Sequence, residues 1–135
     1  MRERLPTRSR CGTCCLKLVP FVHDTGTGKV LGLGWFGRPA LKSILESELT
    51  ALKDLGVTDV HTRAGGGSDH VTFDGAGVPA CMMRQEIAGY RFGHHSQADT
   101  LTIAREPNLI QGVQVMAVAA MRIANLDKLL PRERK

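Results

Sequence analysis

Aromatic side chains make up only 4% of this 135-residue chain, too few for the stacking platforms that hold single-stranded nucleic acid. A basic folded face is missing as well. The net charge of +5 comes from two tails: residues 1–10 carry four arginines against Glu3, and residues 131–135 carry Arg132, Arg134 and Lys135 against Glu133. The body between them is neutral, so no nucleic-acid partner is expected. The most apolar stretch, residues 113–123, is too short to span a bilayer, and none is expected to. The basic start is interrupted by Lys17 and Pro20 and makes a poor export signal, so the chain reads as soluble. Cys11 and Cys14 form a C-x-x-C with no second ligand pair, and with Cys15 and Cys81 they read as reduced thiols without a shared role.

What is present is a 42% hydrophobic composition, enough for one domain around one core. Residues 1–15 show no period and read as a disordered leader, residues 16–131 as the folded domain, and residues 132–135 as a basic tail. Strand character is expected at 16–22, 57–61 and 78–83. Gly26, Gly28, Gly32, Gly34 and Gly37 suggest a loop broken by Val30, Leu31 and Leu33. A leucine stripe with three- and four-residue steps predicts a helix over 39–55, opened by Pro39 and closed by Gly56. Residues 64–67 read as a flexible loop. Ser68 or Asp69 is expected to cap a helical turn over 71–76. Residues 85–102 read as a loop, and a long helix buried on several sides is expected over 107–129. The alternation predicts an α/β fold, part of a three-layer arrangement with helices on both faces of a sheet. About three strands offer the last helix little cover.

The chemistry-bearing residues cluster in two segments, GGGSDHVTFDGAGVPA at 65–80 and HHSQADT at 94–100. Imidazoles and carboxylates together suit a divalent metal. An equal alternative is that Asp69 and His70 merely cap a turn and that His94 is a solvated loop residue. A phosphate-binding loop at Gly26–Lys29 fails on spacing, because His23 stands where the first glycine is required and Val30 replaces the Ser/Thr.

Four features in this order, Asp24-Thr25-Gly26-Thr27-Gly28, G-x-S-D-H ending at Asp69-His70, Ala76-Gly77-Val78-Pro79 and His94-His95-Ser96-x-x-Asp99-Thr100, resemble the C-terminal part of the di-zinc aminopeptidase family of metallopeptidases. The closing Leu129-Leu130-Pro131-Arg132 is similar too. The resemblance covers about four-fifths of the chain. It implies an α/β exopeptidase fold, two zinc ions as cofactors and small peptides as substrates; family members are often exported. It implies Asp24 as ligand to one zinc and His95 to the other. Asp99 becomes an acceptor that orients the imidazole, and Asp69 and His70 become parts of the pocket wall. The family's first histidine ligand, bridging aspartate and Glu-Glu pair would lie upstream of Asp24. There the chain holds only Glu3 and His23, and it has no Glu-Glu pair anywhere. No catalytic residue is therefore assigned, and the chain is expected to be an incomplete, inactive piece of a zinc exopeptidase. The rival expectation is a non-catalytic module that binds peptides or a partner chain. Oligomeric state and substrate preference are not encoded legibly.

Overall fold

A computed structural model describes residues 19–62, 67–87 and 89–133. Four strands form a mixed sheet in the order β1–β4–β2–β3, namely β1 (Phe21–Val22), β2 (Val30–Gly34), β3 (Asp59–His61) and β4 (Cys81–Gln85). β1 runs parallel to β4 and β2 parallel to β3, while β2 and β4 pair antiparallel. The helices are α1 (Lys42–Glu48), α2 (His70–Gly75), α3 (Tyr90–Gly93) and α4 (Glu106–Ala124), with 3-10 turns at Pro39–Leu41, Thr50–Leu55 and Leu101–Ile103. The α/β class is thus as expected. No helix among the described residues is long and apolar enough to cross a membrane.

The main correction is β2. The glycine-rich stretch taken for a loop is an inner strand whose Val30, Leu33 and following Trp35 are fully buried. Its glycines serve close approach rather than turning: a Cβ at Gly34 would lie 2.9 Å from the His61 ring, and one at Gly32 2.7 Å from the Asp59 carbonyl. β-strand 4 begins at Cys81 rather than 78 and absorbs Gln85, and a short helix, α3, occupies part of the presumed loop 85–102. The helix expected over 39–55 breaks at Leu49 (φ −95°, ψ 13°). There Thr50 turns its hydroxyl back onto the Glu46 and Ser47 carbonyls at 3.0 and 2.9 Å, the local competition that weakens helix interiors. Gly56 closes this region in the left-handed conformation, as expected (φ 84°).

α4 stops at Ala124, short of 129, where the Asn125 amide caps the Met121 carbonyl at 2.7 Å. It is buried on one stripe, not on several sides. Gln111, Gly112, Val115, Ala119 and Ile123 face inward, whereas Val113 and Met121 remain 69% and 64% exposed. Gln111 docks the helix on the sheet. The register irregularity between Val30 and Gly32 interrupts the β2–β4 ladder. The Gln111 amide accepts from the Val30 N–H at 2.9 Å and donates to the Val30 and Leu55 carbonyls, both at 2.9 Å. The core gathers Leu33, Trp35, Leu41, Leu45, Leu52, Met83, Val115 and Ala119 between these elements.

A buried arginine joins three distant segments. Arg38, with no solvent exposure, donates to Asp74 Oδ1 of α2 at 2.7 Å and to the Asp74 carbonyl at 3.3 Å. It also donates to the Arg132 carbonyl, holding the terminal segment whose Leu130 packs into the core.

Candidate functional site

An open cleft of about 1350 Å³ lies between the segment after β1, the start of α2 and the stretch from α3 to α4. Asp24, Asp69, His94, His95 and Asp99 all line it, with His23, Ser68, Glu86, Tyr90, Phe92 and Arg105 around them. Asp24 and His95, 71 positions apart in the chain, are thus brought to one depression.

The loop carrying Asp24 is fixed from beneath by Gln85. That buried amide accepts from the Thr25 N–H at 3.0 Å and hydroxyl at 2.9 Å, and donates to the carbonyls of Gly26 and Gly28 at 2.6 and 3.3 Å. Gly28 tolerates no side chain, since a Cβ there would fall 1.8 Å from the Glu86 carbonyl. On the other side the Thr27 hydroxyl donates to the Ile103 carbonyl at 2.8 Å, and Asn108 donates to the Thr27 carbonyl at 3.0 Å. Asp24 itself is exposed, and the Ser68 hydroxyl donates to its Oδ2 at 2.6 Å. This corrects the expected cap: among the described residues no side chain caps α2, for Asp69 stands at the cap position without such a bond and Ser68 is engaged by Asp24.

His95 is the one non-glycine residue with positive φ among the described residues (φ 52°). Left-handed backbone costs a side-chain-bearing residue about 1 kcal/mol or more, and such outliers concentrate at binding sites. The strain is sustained by the turn around it. The Ser96 hydroxyl donates to the Phe92 carbonyl at 2.7 Å, and Ser96 N–H donates to the Gly93 carbonyl at 3.0 Å. The His94 ring lies between Tyr90 and His95, with centroids 4.5 and 4.1 Å away. Asp99 N–H donates to the Ser96 carbonyl at 3.2 Å, bringing Asp99 to the same turn. No hydrogen bond joins its carboxylate to His95 among the described residues.

His70 departs from expectation. It does not line the cleft: it is fully buried, its ring tilted on Phe36 with centroids 4.6 Å apart. Neither ring nitrogen finds a hydrogen bond among the described residues. Burial pushes its pKa below the ordinary 6.5, with Asp69 opposing the shift. Adjacent residues at a helix start point in directions about 100° apart, so Asp69 can face the cleft while its neighbour packs inward. His23 is half-buried, its Nε2 also without a hydrogen-bond partner among the described residues. Its pKa is lowered chiefly by burial, against its own backbone hydrogen bond and Asp24. The helix approaches it closely, for a Cβ at Gly112 would lie 2.9 Å from that nitrogen. Burial holds the Cys81 thiol well above its usual range, which leaves it inert. Cys11, Cys14, Cys15 and the loop 64–66 lie outside the described residues. Gln85, Ser68 and Asn108 were not singled out as site-shaping residues by sequence reasoning; no local pattern marks a side chain whose partners are 44 to 81 positions away.

The donor set does not fit a two-zinc centre by itself. Among the described residues no three His, Cys, Asp or Glu side chains are grouped so as to hold a metal ion, whereas a catalytic zinc takes about three protein ligands.

The architecture matches part of a solved peptidase. The fold superposes on a peptidase M28 precursor from Shewanella amazonensis with a TM-score of 0.73 and 28% identity, over 86% of this chain and 27% of that one. In sequence it is 34% identical to mouse carboxypeptidase Q and 31% to the human protein, each over 109 residues. Those matches cover 81% of this chain and 23% of each relative, so the chain spans about a quarter of the length of these relatives. No protein-family model matches. The chain belongs, as a carboxypeptidase Q-like segment, to the M28 peptidase family.

Proposed function

We propose that this chain forms one wall of the peptide cleft of a zinc-dependent exopeptidase acting on small peptides, and that by itself it hydrolyses none. The observation that carries the reading is the convergence of Asp24, His95 and Asp99 on one cleft, with His95 in a strained backbone conformation. In this reading Asp24 contributes one ligand to one zinc ion and His95 one ligand to the other. Asp99 shares the turn of His95 and would orient it only once the assembled site brought the two into hydrogen-bond contact, and Asp69 forms part of the wall. Ser68 fixes the Asp24 carboxylate by its hydrogen bond, so that one oxygen remains for a cation. With one such ligand per ion the chain lacks the coordination that makes a zinc-bound water acidic. The general base is not among its residues either, a group typically worth about 10²–10⁴-fold in rate.

A second reading, a non-catalytic module that binds peptides or a partner chain, is consistent with the lack of a three-ligand cluster among the described residues. Zinc titration of metal-stripped protein, followed by assay against a panel of dipeptides, tests both. The expected result is weak zinc binding, weakened further by His95→Ala, and no hydrolysis. Tight binding of two ions, or zinc-dependent turnover, would overturn the claim of incompleteness. Complete indifference of Asp24 and His95 to zinc would overturn their assignment as ligands and leave the binding-module reading.

A further inference from the structure

The helix α4 is apolar over more of its circumference than the sheet covers. No charged residue occurs between Leu109 and Met121. Its inner stripe is buried, yet Leu109, Ile110, Val113 and Met121 are 38%, 51%, 69% and 64% exposed. Helices apolar on most sides belong in an interior. Two contacts fix the direction of the uncovered face. Gln111 is hydrogen-bonded to the Leu55 carbonyl, whereas Gly112 abuts His23, the residue after β1. Successive residues turn by about 100° around a helix, so Gln111 and Val113 lie on opposite sides of Gly112. Leu109 falls about 60° from Gly112 in the same sense as Val113. The uncovered face thus lies on the β1 side of α4, away from Leu55. β1 is itself the end strand of the four-stranded sheet. The Pro20 carbonyl accepts from the Cys81 N–H of β4 at 2.9 Å. A trans peptide opposes its N–H to its C=O, so the N–H and C=O of Phe21 point away from β4, to the open edge. Residues 19–22 carry no charge that would guard that edge, while the opposite end strand, β3, carries the Asp59–Arg84 ion pair.

We propose that this corner, the open edge of β1 together with the Leu109–Met121 face of α4, is a docking surface for the remainder of an M28 peptidase domain, which lays a strand along β1 and a helix over α4. The proposal rests on reading this chain as one wall of a larger peptidase and adds the surface by which that wall is joined. The match takes up 27% of the solved M28 peptidase, which leaves most of that chain to be placed against this fold. An α/β layer grows by a strand beside its end strand and a helix beside its last helix. The open edge and the apolar face lie on one side of this fold, as such growth requires. Backbone groups on the edge supply hydrogen bonds, and the uncharged helix face supplies apolar area. A second copy fits less well. β1 spans only Phe21–Val22, so two copies meeting edge to edge would pair two residues with two.

The test co-produces the full chain with the Shewanella amazonensis peptidase from which the matched segment has been deleted, and follows co-purification, amide hydrogen exchange and sedimentation. A one-to-one complex is expected, with exchange slowed at Phe21 and over residues 109–121 relative to the chain alone. Val113→Lys should weaken the complex about tenfold or more, since it buries an unpaired charge. The same substitution should leave the melting temperature of the free chain unchanged, because that side chain stands in water there. Arg122→Ala, about 180° around the helix from Val113, should alter neither. Absence of a complex, or a complex indifferent to Val113→Lys, overturns the proposal. So does a dimer of the chain alone that Val113→Lys disperses, which would make a second copy the occupant. Assay of the pair with zinc and dipeptides separates the two readings. A complex that forms without hydrolysing them keeps the docking surface and overturns the exopeptidase reading.

Discussion

The clamp around Arg38 and the cleft around Asp24 are built from the same kinds of side chain and treat them in opposite ways. In the clamp the guanidinium is sealed from water and bonded to Asp74 and to the chain end, and nearby His70 is buried and held towards its neutral form. In the cleft, Asp24, Asp69, His95, Asp99 and Arg105 all keep solvent access. Only three positions separate Gly67 in the cleft lining from the buried His70. Charge paired inside the fold is costly to unpair, whereas charge left in an open depression remains available to a ligand. The difference lies in burial, not in residue type.

Breaking the clamp gives the largest expected effect. Arg38→Ala leaves the buried Asp74 carboxylate without its guanidinium partner, and should cost about 3–5 kcal/mol in urea denaturation. A loss below about 1 kcal/mol would show that the clamp is dispensable. The same substitution should leave His95 strained and the cleft lining unchanged if the folded state persists.

The buried histidine gives an intermediate effect with a definite sign. Because the folded-state pKa of His70 lies below its unfolded value, the unfolded chain binds the proton first as pH falls. Its stabilising contribution is complete above about pH 6.5 and is lost as the pH drops from there towards the depressed folded value. His23 acts in the same direction. His70→Phe should therefore flatten the decline of stability between neutral and mildly acidic pH without erasing it. An unchanged slope would show that His70 does not titrate in this way.

The smallest effect belongs to the open side. His95→Gly removes a side chain from a left-handed position and should change stability by no more than about 1 kcal/mol, in the stabilising direction where relief of strain exceeds glycine's entropy cost. Residual zinc binding should fall in the same variant. A marked loss of stability in calorimetry would identify His95 as a structural residue and weaken the contrast between the two regions.

Legibility in the sequence followed the range of the interactions. The leucine spacing and Gly56 located the α1 region, and the Pro107 start located α4, because helix periodicity and capping are encoded within a few neighbouring residues. β2 was missed because glycine is a turn signal in local reading, while here it allows β2 and β3 to approach. The residues of the cleft were marked by short motifs, yet those motifs did not separate Asp69 from His70, since the direction of a side chain at a helix start depends on what packs against it.

The sequence by itself determined the α/β class, the neutral body between basic tails and the motif order that resembles the di-zinc aminopeptidase family. Tertiary structure alone decided that Asp24 and His95 line one cleft, that Gln85 holds the loop of Asp24, that Ser68 bonds Asp24 rather than capping a helix, and that His70 is buried. The reason is physical. Each of those outcomes depends on partners 34 to 71 positions away in the chain, and only closure of the sheet with its covering helices brings such partners within the few ångströms over which hydrogen bonds and burial act.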